Sequence, residues 1–226
     1  LDTLKELELS PSEVQIFVEL RLREYARRGD KVKVALVECT PEILGQIAEG
    51  LRKAVGAEVR PLLLEDVLRY PYRLEEDADI VLTTQTHAAE LEKALPAGKK
   101  LMRAALALRT ESVREIAAIL PGKNVKIACK SERFGRLMAE ACKNYSRCGE
   151  CPPLLLFGSD FIQKLGGTDI LLVPKNYENF CTPEEKEAIC AFEKNHILIK
   201  CGYCADEGTL IALEECINAV KEEKKL

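Results

Sequence analysis

The residues able to do chemistry in this chain gather where apolar runs give way to helical patterns. Glu38, Cys39 and Thr40 follow the apolar run 32–37, while Thr83, Thr84, Thr86 and His87 close the run 79–84 and lead into the next helix. Lys130 and Ser131 follow 125–129, Lys175 and Asn176 follow 169–173, and Asp206 follows the segment 196–204. In an α/β sheet such strand ends form the crevice where ligands sit. Hydroxyls, amides and two lysines beside helix starts suit an anion or a carbonyl-bearing small molecule, because helix N-termini offer unpaired N–H donors. Thr40, Thr86 and Ser131 could equally do no more than cap the helices that follow them. His87 opens a helix at the crevice and reads as a ligand contact or as a cap neighbour. His196, the second of two histidines, starts a strand at the far end of the sheet and reads as structural.

Ten cysteines is a high count. Cys148 with Cys151, and Cys201 with Cys204, have the C-x2-C spacing of zinc ligands. The first pair lies in a helix-to-strand loop and the second ends a strand. A strand of five or six residues separates those edges by roughly 17–20 Å, so no ion shared by all four is expected, nor any cofactor. The loop pair could still form a local disulfide or take a metal with help from elsewhere. Cys39, Cys129, Cys142, Cys190 and Cys216 fall within strand or helix patterns, where a free cysteine behaves as a small hydrophobe. Cys39 and Cys129 end equivalent strands, which would also suit a cofactor-independent racemase or isomerase with one thiol per substrate face. No Gly- or Asn-rich loop follows Cys129 to hold a carboxylate. The chain has no dinucleotide, Walker, zinc-protease or nucleophile-elbow motif. A pocket without catalytic apparatus is the expectation.

The elements that must position these residues alternate. Residues 31–51 read as a strand, a polar break and a helix opened by Thr40-Pro41. Residues 124–145 repeat that order, and two such units predict two α/β lobes. Further strands are expected over 58–64, at an edge because of Pro61, and over 79–84, 100–108, 153–157, 169–173 and 196–204. Helices are expected over 64–68, 88–95, 110–120, 160–165, from Thr182-Pro183 to about 195, and over 206–224. Short apolar runs between helices mean parallel sheets covered on both faces. Residues 1–28 read as two helices with Ser10 and Glu13 as a capping box, a connector or dimerisation element.

A net charge of −4 and a pI near 5.5 argue against this segment gripping nucleic acid by itself. No apolar run reaches the roughly 20 residues that span a bilayer. The start, LDTLKELELS, lacks a signal-peptide core, although a first residue of Leu suggests that upstream sequence was removed. A fold of this size without the loop-rich texture of a disulfide framework points to a reducing cytoplasm.

The helical entry ELELSPSEVQIFVELRLREYARR, the strands VKVALVECTPE and DADIVLTT, the segment VKIACKSERFGRLM and the closing CADEGTLIALEE resemble the C-terminal effector-binding domain of GntR-family transcriptional regulators. The resemblance covers essentially the whole chain and includes Asp206, Gly208 and Thr209 at the entry to the last helix. The CGEC and CGYC cysteines depart from the family. The resemblance implies a periplasmic-binding-protein-like domain, a small-molecule effector between the lobes, a homodimer, and DNA contact only through a winged helix absent from this chain. The expected division is a connector over 1–29, a first lobe over 30–106 plus 205–226, and a second over 107–204, with hinges near 103–108 and 204–208.

Overall fold

The structure, a computed structural model, describes residues 14–16, 18–19, 31–158 and 160–224. Residues 14–16 and 18–19 are helical; the rest of the expected N-terminal helical pair lies outside the described residues.

The first lobe runs β1 (Lys33–Glu38), α1 (Pro41–Ala54), β2 (Glu58–Leu63), α2 (Leu64–Arg69), α3 (Arg73–Asp77), β3 (Ile80–Thr84), α4 (Gln85–Ala94) and β4 (Lys100–Ala104). Its strands are all parallel, in the order β2-β1-β3-β4. β1 is buried on both faces: Val34 and Leu36 join one core cluster with α1, while Ala35 and Val37 join another with Val67, Leu74 and Leu91. Pro61 sits in the edge strand β2, where a missing N–H costs no ladder bond.

The second lobe runs α5 (Thr110–Ala117), β6 (Val125–Cys129), α6 (Glu132–Tyr145), β7 (Pro153–Leu155), α7 (Phe161–Lys164), β8 (Ile170–Pro174), a 3-10 turn (Tyr177–Phe180), α8 (Pro183–Glu193) and β9 (Ile197–Cys201). Its parallel order is β7-β6-β8-β9, the same topology as the first lobe. The chain is therefore a two-lobed α/β protein. Ser131 caps α6 by accepting from the Phe134 amide, and Thr182 with Glu185 forms a complete capping box on α8.

Two long strands expected from the sequence are each broken. The 100–108 segment stops at Ala105, whose amide donates to Thr209 Oγ1 rather than to a strand. The 196–204 segment stops at Gly202. The remnants, β5 (Leu106–Leu108) and β10 (Tyr203–Ala205), pair antiparallel as a ribbon joining the sheets. The third shortened strand, β7, is followed by Phe157 in the left-handed region (φ 64), which turns the chain away. The last helix, α9 (Glu207–Glu223), returns to the first lobe, where Glu223 meets Lys100 and Lys224 meets Asp79. One core cluster runs through both lobes, bringing Leu44, Ile47 and Leu51 of α1 together with Ile116, Phe134, Met138, Leu213 and Ile217. Among the described residues no helix is long and apolar enough to cross a membrane.

Candidate functional site

At the end of β1 the Glu38 carboxylate, nearly fully buried, organises its surroundings. It accepts from the Cys39 amide at 2.9 Å, the Cys39 thiol at 3.1 Å, Thr40 Oγ1 at 3.3 Å and Thr84 Oγ1 at 3.4 Å. His87 Nε2 lies 3.2 Å from Cys39 Sγ and 3.5 Å from Glu38 Oε1. Burial, with the Glu38 charge, pushes the Cys39 thiol up to about 11, so near neutral pH it is a protonated donor. Thr83 donates to the Val37 carbonyl at 2.9 Å, and Thr84 and Thr86 bond each other. Thr40 occupies the N-cap position of α1 without capping it, because its hydroxyl turns to Glu38. Of the expected ligand contacts, Thr40, Thr84 and His87 come together around Glu38, while Thr83 and Thr86 bond to the Val37 carbonyl and to Thr84. Glu38, Cys39 and His87 place an oxygen, a sulfur and a nitrogen within 4.8 Å of one another, a set able to hold a divalent ion.

The equivalent end of β6 is plugged. Glu42, 0 % exposed in the first turn of α1, accepts from the amides of Lys130 and Ser131, both at 2.7 Å, and from Ser131 Oγ at 2.8 Å. The N-terminus of α6 is an anion site, and it holds a carboxylate from the other lobe. The expectation that Lys130 and Ser131 offer this end of the crevice to a ligand is corrected accordingly; the Lys130 ammonium instead lies 4.5 Å over the Phe157 ring. Asp206 is an N-cap: it accepts from the Thr209 amide at 2.7 Å, and the Thr209 side chain, then this amide, hold its carboxyl below the usual range. Cys129 is fully buried under α6, and burial pushes its thiol up to about 12.

Lys175 and Asn176 do face a cleft, of about 380 Å³, between the lobes. Across it α1 presents Gln46, Glu49 and Lys53; Arg109, just after β5, and Tyr203 of β10 also line it, as does Glu178, which is paired with Lys186. Asn176 joins the lobes by donating to the Glu42 carbonyl at 3.1 Å and accepting from Gln46 Nε2 at 3.0 Å. Gln46 Oε1 in turn accepts from the Tyr203 amide at 2.7 Å. Two glycines permit this approach: a Cβ on Gly45 would stand 2.8 Å from Asn176 Nδ2, and one on Gly202 would stand 2.9 Å from Arg109 Cδ. Lys53 pairs with Glu49 at 2.6 Å. That bond, helped by the charges of Lys175 and Arg109, holds the Glu49 carboxyl below the usual range. Among the described residues, no carboxylate lies within ion-pair distance of Lys175 or Arg109. Burial pushes the Tyr203 phenol up to about 12, which keeps its hydroxyl protonated.

Sequence reading missed Gln46, Glu49, Lys53, Arg109 and Tyr203. The first three recur at i, i+3 and i+7, a polar stripe on a helix otherwise buried; nothing local marked Arg109. Cys201 is buried and the Cys204 thiol contacts the Ala107 carbonyl, so neither joins Cys148 and Cys151. Cys142, expected only to pack, does join them.

No protein-family model matches the chain, and no curated protein matches it.

Proposed function

We propose that this domain binds a small organic anion in the cleft between its lobes and acts as an effector sensor, without catalysis. The observation that carries the proposal is the pair Arg109 and Lys175. They converge from the ribbon and from the end of β8 on one cleft with no carboxylate partner of their own among the described residues. Cations kept unpaired beside Asn176, Gln46 and a protonated Tyr203 match an anion that also carries hydroxyl or carbonyl groups. The pathway from ligand to output would be a shift in lobe arrangement, since α1 touches the ribbon and the end of β8 together. Following the family resemblance, the output would pass through the 1–29 segment of a homodimer to winged-helix domains outside this chain. Cys39 and Cys129, the thiols of the isomerase alternative, are both held protonated, foremost by burial, which supports binding over thiol catalysis.

Native mass spectrometry of the unsupplemented protein, followed by denaturation, tests the proposal. An organic anion released by the wild type and absent from Arg109→Ala is the expected result. An anion carried equally by both proteins would place the site elsewhere.

A further inference from the structure

We propose that Cys142, Cys148 and Cys151 form a binding site for a single soft divalent metal ion, with zinc as the natural occupant. The three sulfurs lie within 4.8 Å of one another. Cys148 Sγ and Cys151 Sγ are 3.4 Å apart. A tetrahedral ion with zinc–sulfur bonds of about 2.3 Å needs its sulfurs about 3.8 Å apart, so all three can bind one ion with sub-ångström adjustments. An iron–sulfur cubane would need them spread wider.

The chain is built to deliver these ligands. Cys142 projects from the last turns of α6, and the loop that follows folds back before β7 to bring the C-x2-C pair against it. Ser146, the C-cap of α6, fixes the fold-back. Its hydroxyl donates to the Cys142 carbonyl at 2.7 Å, accepts from the Cys148 amide at 3.4 Å and lies 2.9 Å from Cys148 Sγ. It is therefore an outer partner able to turn its proton to a thiolate. The fourth position faces out: Cys148 and Cys151 line a cleft of about 730 Å³ with Glu140, Lys143 and Glu150. That cleft is an entry path and leaves room for water or a carboxylate.

The neighbouring Cys142 thiol, then burial, push Cys151 far up, and burial pushes Cys148 up. Metal binding exchanges the three thiol protons, released to solvent, for one divalent charge. Cys201 and Cys204 take no part, and the site is independent of the anion cleft.

The test uses the whole protein, reduced and stripped with chelator, then titrated with cobalt and back-titrated with zinc. The expected result is one cobalt per chain with thiolate-to-cobalt charge-transfer absorption, displacement by zinc, proton release on loading, and a metal-dependent rise in melting temperature. Cys148→Ser, at a half-buried position, should weaken binding by more than the roughly 10–100-fold typical of losing an outer-shell partner. Cys204→Ser should leave binding unchanged. Three outcomes would each overturn the proposal. The first is no charge-transfer band from reduced protein with native circular dichroism. The second is stoichiometric binding that survives Cys148→Ser. The third is binding abolished by Cys39→Ser, which would move the ion to Glu38, Cys39 and His87.

Discussion

Glu38-Cys39-Thr40 at the end of β1 and Cys129-Lys130-Ser131 at the end of β6 hold the same place in two lobes of the same strand order. The first supplies its own acceptor, because Glu38 gathers the hydroxyls, thiol and amide around it. The second has no acidic residue at that place and receives Glu42 from the first lobe instead. Topologically equivalent helix N-termini thus become an internally satisfied cluster in one lobe and a docking point in the other. A strand-end polar cluster in this fold class is therefore not by itself a ligand site. The proposed ligand cleft lies instead on the flank of α1, lined by Lys53, Arg109 and Lys175 with Glu49 and Glu178.

The comparison breaks most severely at Glu42. Glu42→Ala leaves two amides and a hydroxyl of the second lobe without their buried acceptor, and should cost about 3 kcal/mol, read by urea denaturation. A loss below about 1 kcal/mol would mean that the apolar packing and the Asn176 bonds to the Glu42 carbonyl and Gln46 hold the lobes without the Glu42 carboxylate. The two cap positions should then separate. Ser131→Ala removes a working cap together with a Glu42 contact, for about 1–2 kcal/mol. Thr40→Val removes only long contacts, to Glu38 at 3.3 Å and to the Cys39 thiol at 3.4 Å, and should stay within about 1 kcal/mol; equal losses would contradict the difference drawn between the two strand ends.

The smallest effect concerns chemistry at the first strand end. Cys39 has its thiol raised from 9.0 to about 11, so its contribution to stability is present below the ordinary thiol value and lost as pH rises towards 11. Its alkylation by iodoacetamide at pH 8 should lag well behind that of exposed Cys190 and keep rising towards pH 11. Rapid modification at pH 8 would instead mark an activated thiol.

Much of the fold was legible because it is written in local pattern. Apolar runs such as 32–37 and 125–129, cap-plus-proline openings at Thr40-Pro41 and Thr182-Pro183, and Pro61 in an edge strand each state their own structure. The ribbon was not legible, since 100–108 and 196–204 remain apolar and extended through their breaks. Only the passage between lobes, with Ala105 turned to Thr209, divides them. Of the proposed cleft, Lys175 and Asn176 are the lining residues that their strand end marks in the sequence. Glu42 escaped because an acid in the first turn of a helix already has a local explanation in the helix dipole, and its partners lie 88 and 89 residues away. Arg109 escaped because its neighbours in the cleft come from distant segments, whereas Cys142, close in sequence to Cys148 and Cys151, escaped because a cysteine in a helical pattern already reads as packing.

The measurement that tests the central claim most directly is calorimetric titration with simple anions (inorganic phosphate, succinate and a sugar phosphate), comparing the wild type with Arg109→Ala/Lys175→Ala. Binding of at least one of these anions by the wild type, weakened at least about tenfold in the double variant, or about 1.4 kcal/mol, is the predicted result. Binding that is unchanged in the double variant, or no binding of any anion by folded wild-type protein, would contradict it.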